Sequence, residues 1–207
     1  VQQLEVQVGA LGGAAPGVNL PIKITVGGDA SNTDQTFMVQ PGRMLYVDKT
    51  SGDDATAVPG DITNPYRHVQ VGTNLAAGAW GAALPGDTIV MRGGTWTDIG
   101  RENYFIRFIK ADGSSGTPPT GVAGHGPITL IGYPGEDTFI NADSSTHAGG
   151  AISGLNGQNY PNAGKWINIS NLRVEGGGYD GPIIEQIYGD NWRIVNNELS
   201  AETGVTT

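Results

Sequence analysis

The 207-residue sequence contains no cysteine. That excludes a disulfide framework, a thiol nucleophile and a cysteine-ligated zinc, and it leaves the redox compartment open. Basic residues are scarce as well: 11 Lys and Arg stand against 20 Asp and Glu, a formal net charge of −9. Nucleic-acid binding rests on clustered cations that neutralise phosphates, so this scattered set argues against DNA or RNA as a partner. A polyanionic ligand would need a bridging cation or a local basic groove. No stretch approaches the roughly 20 apolar residues of a membrane span. No secretory leader is recognisable from Val1 onward, so the sequence reads as a mature chain or a segment of a longer one.

Glycine and proline, by contrast, are plentiful, at 34 and 12 residues. Such a composition would point to disorder if apolar residues were few. They make up 38% of the chain and fall in short β-rich runs between turn clusters. The expectation is an all-β protein with many tight corners.

Residues 1–40 hold three strand-like runs, Leu4–Val8, Pro21–Val26 and Thr36–Val39, separated by the turn-rich stretches LGGAAPG and GGDASNTD. Three short strands are too few for a stable sandwich. The wording LPIKITVGGDASNTDQTFMV resembles the closing half of an IPT/TIG immunoglobulin-like domain. The resemblance implies a partial β-sandwich over 1–40 whose earlier strands are missing.

From residue 41 the pattern changes. MLYVDKTSGDDATAVPGDITNPYRHVQ leads to LPGDTIVMRGGTWTD. The landmarks Tyr46, Asp48, Gly52-Asp53-Asp54, Pro65-Tyr66, Pro85-Gly86-Asp87-Thr88-Ile89 and Gly94-Thr95-Trp96 resemble the opening segment of right-handed parallel β-helix proteins of the pectin-lyase-like superfamily. That resemblance implies a β-helix over 41–207 with a short N-terminal capping helix. Residues 66–77 are the expected cap, with Tyr66, Val69 and Ala76 facing inward, although Gly72 weakens a helix there by about 1 kcal/mol. Such a cap would cover an apolar end and unpaired strand edges.

Three later segments read as successive coils: ITLIGYPGEDTFIN, INISNLRVEGG and RIVNNELSAETG. The last two superimpose at an offset of 25 residues, matching Ile169 to Ile194, Asn171 to Asn196 and Val174 to Leu199. Coils of roughly 20–29 residues are normal for β-solenoids. Asn171 and Asn196 are therefore expected one above the other at a bend, where Asn tolerates left-handed backbone and stacked amides can form a ladder. About four coils fit, fewer than the group commonly carries, so the sequence reads as an N-terminal portion of a longer helix.

Four groups of residues have candidate chemistry. Asp48, Asp53, Asp54 and Asp61 lie close together among Gly and Thr. They suit either a calcium loop, since calcium takes six to eight oxygens, or a turn-forming loop whose carboxylates cap backbone amides. On the strand at Ile167–Ser170, inward Ile167 and Ile169 would leave Asn168 outward, with Arg193 beside it and Lys165 near Asp190. Uronate lyases of this fold use the exposed sheet, and an Arg neutralises the sugar carboxylate while a base takes the adjacent proton. Asn168, Lys165 and Arg193 are the substrate-binding candidates, and a surface Arg paired with Glu198 is the alternative. His68, His125 and His147 have no partner at metal-ligand spacing, and no G-x-S-x-G elbow is present. Trp96, Tyr104, Trp166, Tyr179, Tyr188 and Trp192 suit either sugar stacking or packing inside the coil.

The functional expectation follows from the fold resemblance. It is a secreted, extracellular or cell-surface carbohydrate-active protein, of the polysaccharide-lyase type, acting on uronate-containing polysaccharide with calcium as the candidate cofactor. Its catalytic residues are expected beyond this segment. The alternative is a non-catalytic adhesin or fibre-forming β-helix in which self-association or strand addition completes the N-terminal sandwich.

Overall fold

A computed structural model describes residues 42–71, 78–97, 104–107, 126–142, 150–153, 165–176, 183–185 and 190–200, with strand segments at 19–21, 25–26, 29–30 and 36–38. The chain divides into two compact units, Val1–Pro41 and Gly42–Thr207. The first contains β1 (Asn19–Pro21), β2 (Thr25–Val26), β3 (Asp29–Ala30) and β4 (Thr36–Met38). There β1 pairs antiparallel with β4, and β2 with β3. The expected strand at Leu4–Val8 lies outside the described residues.

Among the described residues the second unit is β apart from one helical turn. Its strands run β5 (Met44–Val47), β6 (Thr88–Met91), β7 (Gly94–Trp96), β8 (Tyr104–Arg107), β9 (Ile128–Gly132), β10 (Thr138–Ala142), β11 (Gly150–Ser153), β12 (Ile167–Ser170), β13 (Arg173–Gly176), β14 (Ile184–Glu185), β15 (Arg193–Val195) and β16 (Glu198–Ser200). The turn, α1 (Ala79–Ala82), lies between β5 and β6. All pairings in this unit are parallel, and from β6 onward each strand pairs with the one three elements later. The chain thus visits three sheets in turn: β5-β6-β9-β12-β15, then β7-β10-β13-β16, then β8-β11-β14.

Period-two alternation explains what the strands bury. In β9 Ile128 and Leu130 are buried while Thr129 and Ile131 are partly exposed, and β12 repeats this with Ile167 and Ile169 against Asn168 and Ser170. Register stacks like on like. Leu45, Ile89, Leu130 and Ile169 form one inward column, each 0–1% exposed. Full burial of such a side chain contributes about 1.5–3 kcal/mol, so these columns supply the main cohesion between coils. Gly132 is required by the same close stacking, because a Cβ there would sit 2.1 Å from the Asn171 carbonyl oxygen.

The 25-residue register is present as expected. Asn168 pairs with Arg193, Ile169 with Ile194 and Val174 with Leu199. Asn171 and Asn196 adopt left-handed backbone, at φ 55° and 54°. Asn196 Nδ2 donates to Asn171 Oδ1 at 3.4 Å, and Asn171 Nδ2 donates to the Gly132 carbonyl at 3.1 Å. The ladder therefore runs donor to acceptor down the stack. A second left-handed pair at the same spacing, Trp166 at φ 56° and Asn191 at φ 61°, marks the corner before β12 and β15.

The expected capping helix over 66–77 is corrected. Residues 66–71 are not helical, and residues 72–77, including Ala76, lie outside the described residues. The reason lies in the backbone partners. The Tyr66 N–H donates to the Tyr46 carbonyl, and the Tyr66 carbonyl accepts from the Asp48 N–H, both at 2.8 Å, so Tyr66 forms a parallel bridge beside β5. The Asp54 carboxylate takes the N–H groups of Arg67 and His68. Asp54 thus ties residues 67 and 68 to its own loop, while the bridge to β5 holds Tyr66 extended. Tyr66 and Val69 are buried, as expected of them, and a single helical turn comes later at Ala79–Ala82.

Asp87 explains why the Pro-Gly-Asp-Thr-Ile stretch begins the first long strand. Its side chain is buried, and it accepts from the Arg43 N–H at 2.7 Å, the Leu84 N–H at 2.8 Å and the Arg43 guanidinium at 2.6 Å. The same guanidinium donates to the Ala82 carbonyl at 2.8 Å. One carboxylate thus ties the start of β5, the helical turn and the start of β6 together. A buried charge is tolerated only with such complete pairing.

Candidate functional site

The outward face of the five-stranded sheet has two columns of different character. Register aligns Met44, Thr88, Thr129, Asn168 and Arg193 in one, which is polar after its first member. It aligns Tyr46, Val90, Ile131, Ser170 and Val195 in the other, which is largely apolar and of which Val90 is covered, at 4% exposed. The structure brings two of the three substrate-binding candidates together here: Asn168 and Arg193 are cross-strand neighbours, and Arg193 is exposed. Lys165 stands just before β12. Its Nζ is 3.0 Å from the Asp190 carboxylate, so its charge is shared with a neighbouring coil.

A corner cleft of about 360 Å³ lies between this sheet and the next. Its wall includes Glu136, Asp137, Arg173 and Glu198, with the amides of Asn171 and Asn196. The cations around it are engaged. Arg173 is 2.7 Å from Asp137 and lies 3.7 Å over the Phe139 ring. Arg92 is 2.6 Å from Glu136 and lies 4.9 Å over the Tyr133 ring. Hydrogen bonds from Arg92 and from the Gly93 N–H hold the Glu136 carboxyl below its usual range, and Arg173 does the same for Asp137. Both guanidiniums are in turn pushed up by those hydrogen bonds. Chemically, these groups stay ionised near neutral pH. They bind and orient, and Glu136 and Asp137 are not tuned to donate a proton. Glu198 is not the partner of Arg193: register sets it beside Arg173.

Three of the four loop aspartates act one by one as turn acceptors. Asp48 takes the Thr50 N–H at 2.8 Å and the Ser51 hydroxyl at 2.7 Å. Asp53 takes the Ala55 N–H at 2.9 Å, and Asp61 takes the Thr63 N–H at 2.8 Å. Burial pushes the Asp48 carboxyl up, but the hydrogen bonds from Ser51 and Thr50 prevail and hold it below its usual value. Among the described residues no group of three or more His, Asp or Glu side chains is placed to hold a metal ion.

A pair that sequence reasoning missed is Asp54 with His68. Asp54 Oδ2 lies 2.6 Å from His68 Nδ1 while Oδ1 accepts the two backbone amides. Only the fourteen-residue spacing across a loop connects them, which carries no sequence signal. His125 and His147 lie outside the described residues.

Of the aromatic candidates, Trp96 fills the interior. It is 1% exposed, packs edge-to-face on Phe105 at 6.4 Å and donates its indole N–H to the Arg92 carbonyl at 3.0 Å. Trp192 packs partly buried against the core, and Trp166 is half-buried at its corner. Tyr104 lies in β8, while Tyr179 and Tyr188 lie outside the described residues.

Comparison with protein families, with curated proteins and with solved structures found nothing that matches the chain. Among the described residues no helix is long and apolar enough to cross a membrane.

Proposed function

We propose that Gly42–Thr207 forms coils of a right-handed parallel β-helix, pectin-lyase-like, in a secreted carbohydrate-active protein of the polysaccharide-lyase type. The antiparallel pairs of the first unit suit an IPT/TIG-like module preceding it in the chain. Support for the helix comes from the three-element period of parallel pairing and from the stacked left-handed asparagines. Support for a polysaccharide ligand comes from one observation, the split face of the five-stranded sheet. A sugar ring is apolar on its faces and hydroxylated at its edges, and a polar column beside an apolar one offers both. Arg193, exposed at the end of the polar column, is the group suited to a uronate carboxylate, with Asn168 donating beside it. Lys165 contributes where it is released from Asp190.

The test is direct. Incubation with alginate, pectate and chondroitin, with and without calcium, is followed by ultraviolet absorbance of unsaturated uronates and by binding in affinity electrophoresis. Retardation by one uronate polymer is expected, weakened roughly tenfold, or about 1.4 kcal/mol, by Arg193→Ala. Neither retardation nor an absorbance rise on any polymer would sink the reading. Binding without turnover would favour the second reading, a non-catalytic extracellular β-helix, to which the engaged cations of the corner cleft also point.

A further inference from the structure

The split face of the five-stranded sheet is not uniform in cover or in charge. Val90 is 4% exposed, so the apolar column is closed at β6. The open part spans β9, β12 and β15. There register sets Thr129 beside Asn168 and Asn168 beside Arg193, with Ile131, Ser170 and Val195 in step two residues on. Each strand thus presents one outward pair: Thr129 with Ile131, Asn168 with Ser170, and Arg193 with Val195. The first two pairs are partly exposed, and the third is exposed.

These three pairs carry one cation and no carboxylate. Among the described residues no carboxylate holds Arg193. Other cations are engaged: Arg43, Arg92 and Arg173 with Asp87, Glu136 and Asp137, and Lys165 with Asp190. Neighbouring strands stand about 4.7–4.9 Å apart, close to the advance of one unit along an extended sugar chain. A chain laid across the strands therefore sets one sugar on each pair. One unit meets Arg193, the next meets an amide and a hydroxyl, and the third meets a hydroxyl beside an apolar side chain.

We infer that the ligand of this face is a mixed polysaccharide, in which uronates are set apart by neutral sugars, and not a homopolymer of uronates. This rests on the reading of the face as a uronate-polysaccharide site and names its substrate class. Arg193 compensates one carboxylate, which its planar guanidinium suits. In a homopolymer the carboxylates of the next two units would meet Asn168 and Ser170 or Thr129 and Ile131, none of them charged, on a protein of formal net charge −9. A carboxylate that loses water without gaining a cation is unfavourable. Neutral sugar hydroxyls exchange water for the Asn168 amide and the Ser170 and Thr129 hydroxyls at little net change.

The experiment titrates the full chain, in a chelator, with size-matched fragments of four polymers. Gellan sets its glucuronates between neutral sugars, unsulfated chondroitin alternates the two, and pectate and alginate carry a carboxylate on every unit. Gellan is expected to bind tightest, chondroitin next, and pectate and alginate roughly tenfold or more below gellan. Arg193→Gln should lower gellan affinity roughly tenfold and flatten its dependence on salt. Asn168→Arg adds a cation on the adjoining strand and should raise pectate affinity roughly tenfold. Should that variant fail to fold, Thr129→Arg, one strand further, is expected to give the same gain. Pectate or alginate binding as tightly as gellan, or folded arginine variants that leave pectate affinity unchanged, would overturn the inference and leave the polysaccharide reading standing. Binding of none of the four fragments would remove that reading, and the inference with it.

Discussion

At the β5 end of the parallel stack the chain closes its own strand edge, whereas at the β15 and β16 end no described residue pairs with the edge or covers the core columns. The first closure is made by backbone. Tyr66 and Gly60 donate to the Tyr46 and Met44 carbonyls at 2.8 and 2.6 Å, and Asp87 fastens the start of β5 to the strand beside it. At the other end Ile194 has the same backbone role as Ile169 and the same side chain, yet 41% of its surface remains in water. Residue type and strand position are matched between the two isoleucines. The difference in burial comes wholly from whether a coil lies above. In a stack of this kind, stability belongs to interfaces between coils more than to any single coil.

Breaking the closed end should have the largest effect. Asp87→Ala removes the acceptor for two backbone amides and leaves the Arg43 guanidinium without its partner. With the Arg43 guanidinium 39% exposed, most of the cost comes from the two amides left without an acceptor, at about 1–3 kcal/mol each, and about 3 kcal/mol is expected in all. Urea denaturation, read as a shift in midpoint at constant slope, measures it. A loss below about 1 kcal/mol would mean that the loop backbone closes this end without the carboxylate.

How much of this was legible beforehand differs between the same two ends. The 25-residue register and the left-handed asparagines were readable because INISNLRV and RIVNNEL carry the same side chains at the same spacing. The Arg43–Asp87 and Arg92–Glu136 pairs were not. Each spans 44 residues, and the coils they bridge are not of constant length. Thr88 pairs with Thr129, 41 residues on, and Thr129 with Asn168, 39 residues on, so no fixed offset reveals a partner. Propensity also misplaced the cap. Tyr66, Val69 and Ala76 have the apolar spacing of a helix, but the edge of β5 takes Tyr66 as a parallel bridge and holds it extended. Of the binding candidates, the Asn168–Arg193 and Lys165–Asp190 proximities followed from the repeat alone, while the engagement of Arg173 with Asp137 depended on a loop of irregular length.

A paired truncation sharpens the contrast between ends. Ile169→Ala removes a fully buried side chain between two neighbours and should cost about 3 kcal/mol through lost transfer energy and a cavity. Ile194→Ala removes a side chain with a described neighbour on one side only, and should cost about 1 kcal/mol because 41% of that residue's surface is already hydrated. Thermal and urea unfolding of the two variants side by side gives the difference. Equal losses would show that the open end is covered in solution.

The smallest effect separates backbone strain from stacking. Asn171 and Asn196 share a left-handed φ near 55°, so Ala at either site should incur the same local strain of about 1 kcal/mol relative to Gly, which occupies that region freely. Neither Ala nor Gly keeps the amide, so the Ala-minus-Gly difference reports backbone strain alone and should agree between the two corners. The Asn-to-Gly loss reports the ladder instead. It should be larger at Asn171, whose side chain reaches both Gly132 and Asn196, than at Asn196, whose side chain bonds to Asn171. Four variants followed by urea denaturation give both quantities. An Ala-minus-Gly difference that vanishes at Asn196 but persists at Asn171 would show that the corner of the last coil relaxes once its asparagine is gone, so that the left-handed turn there is held by the coil beneath rather than by the local chain.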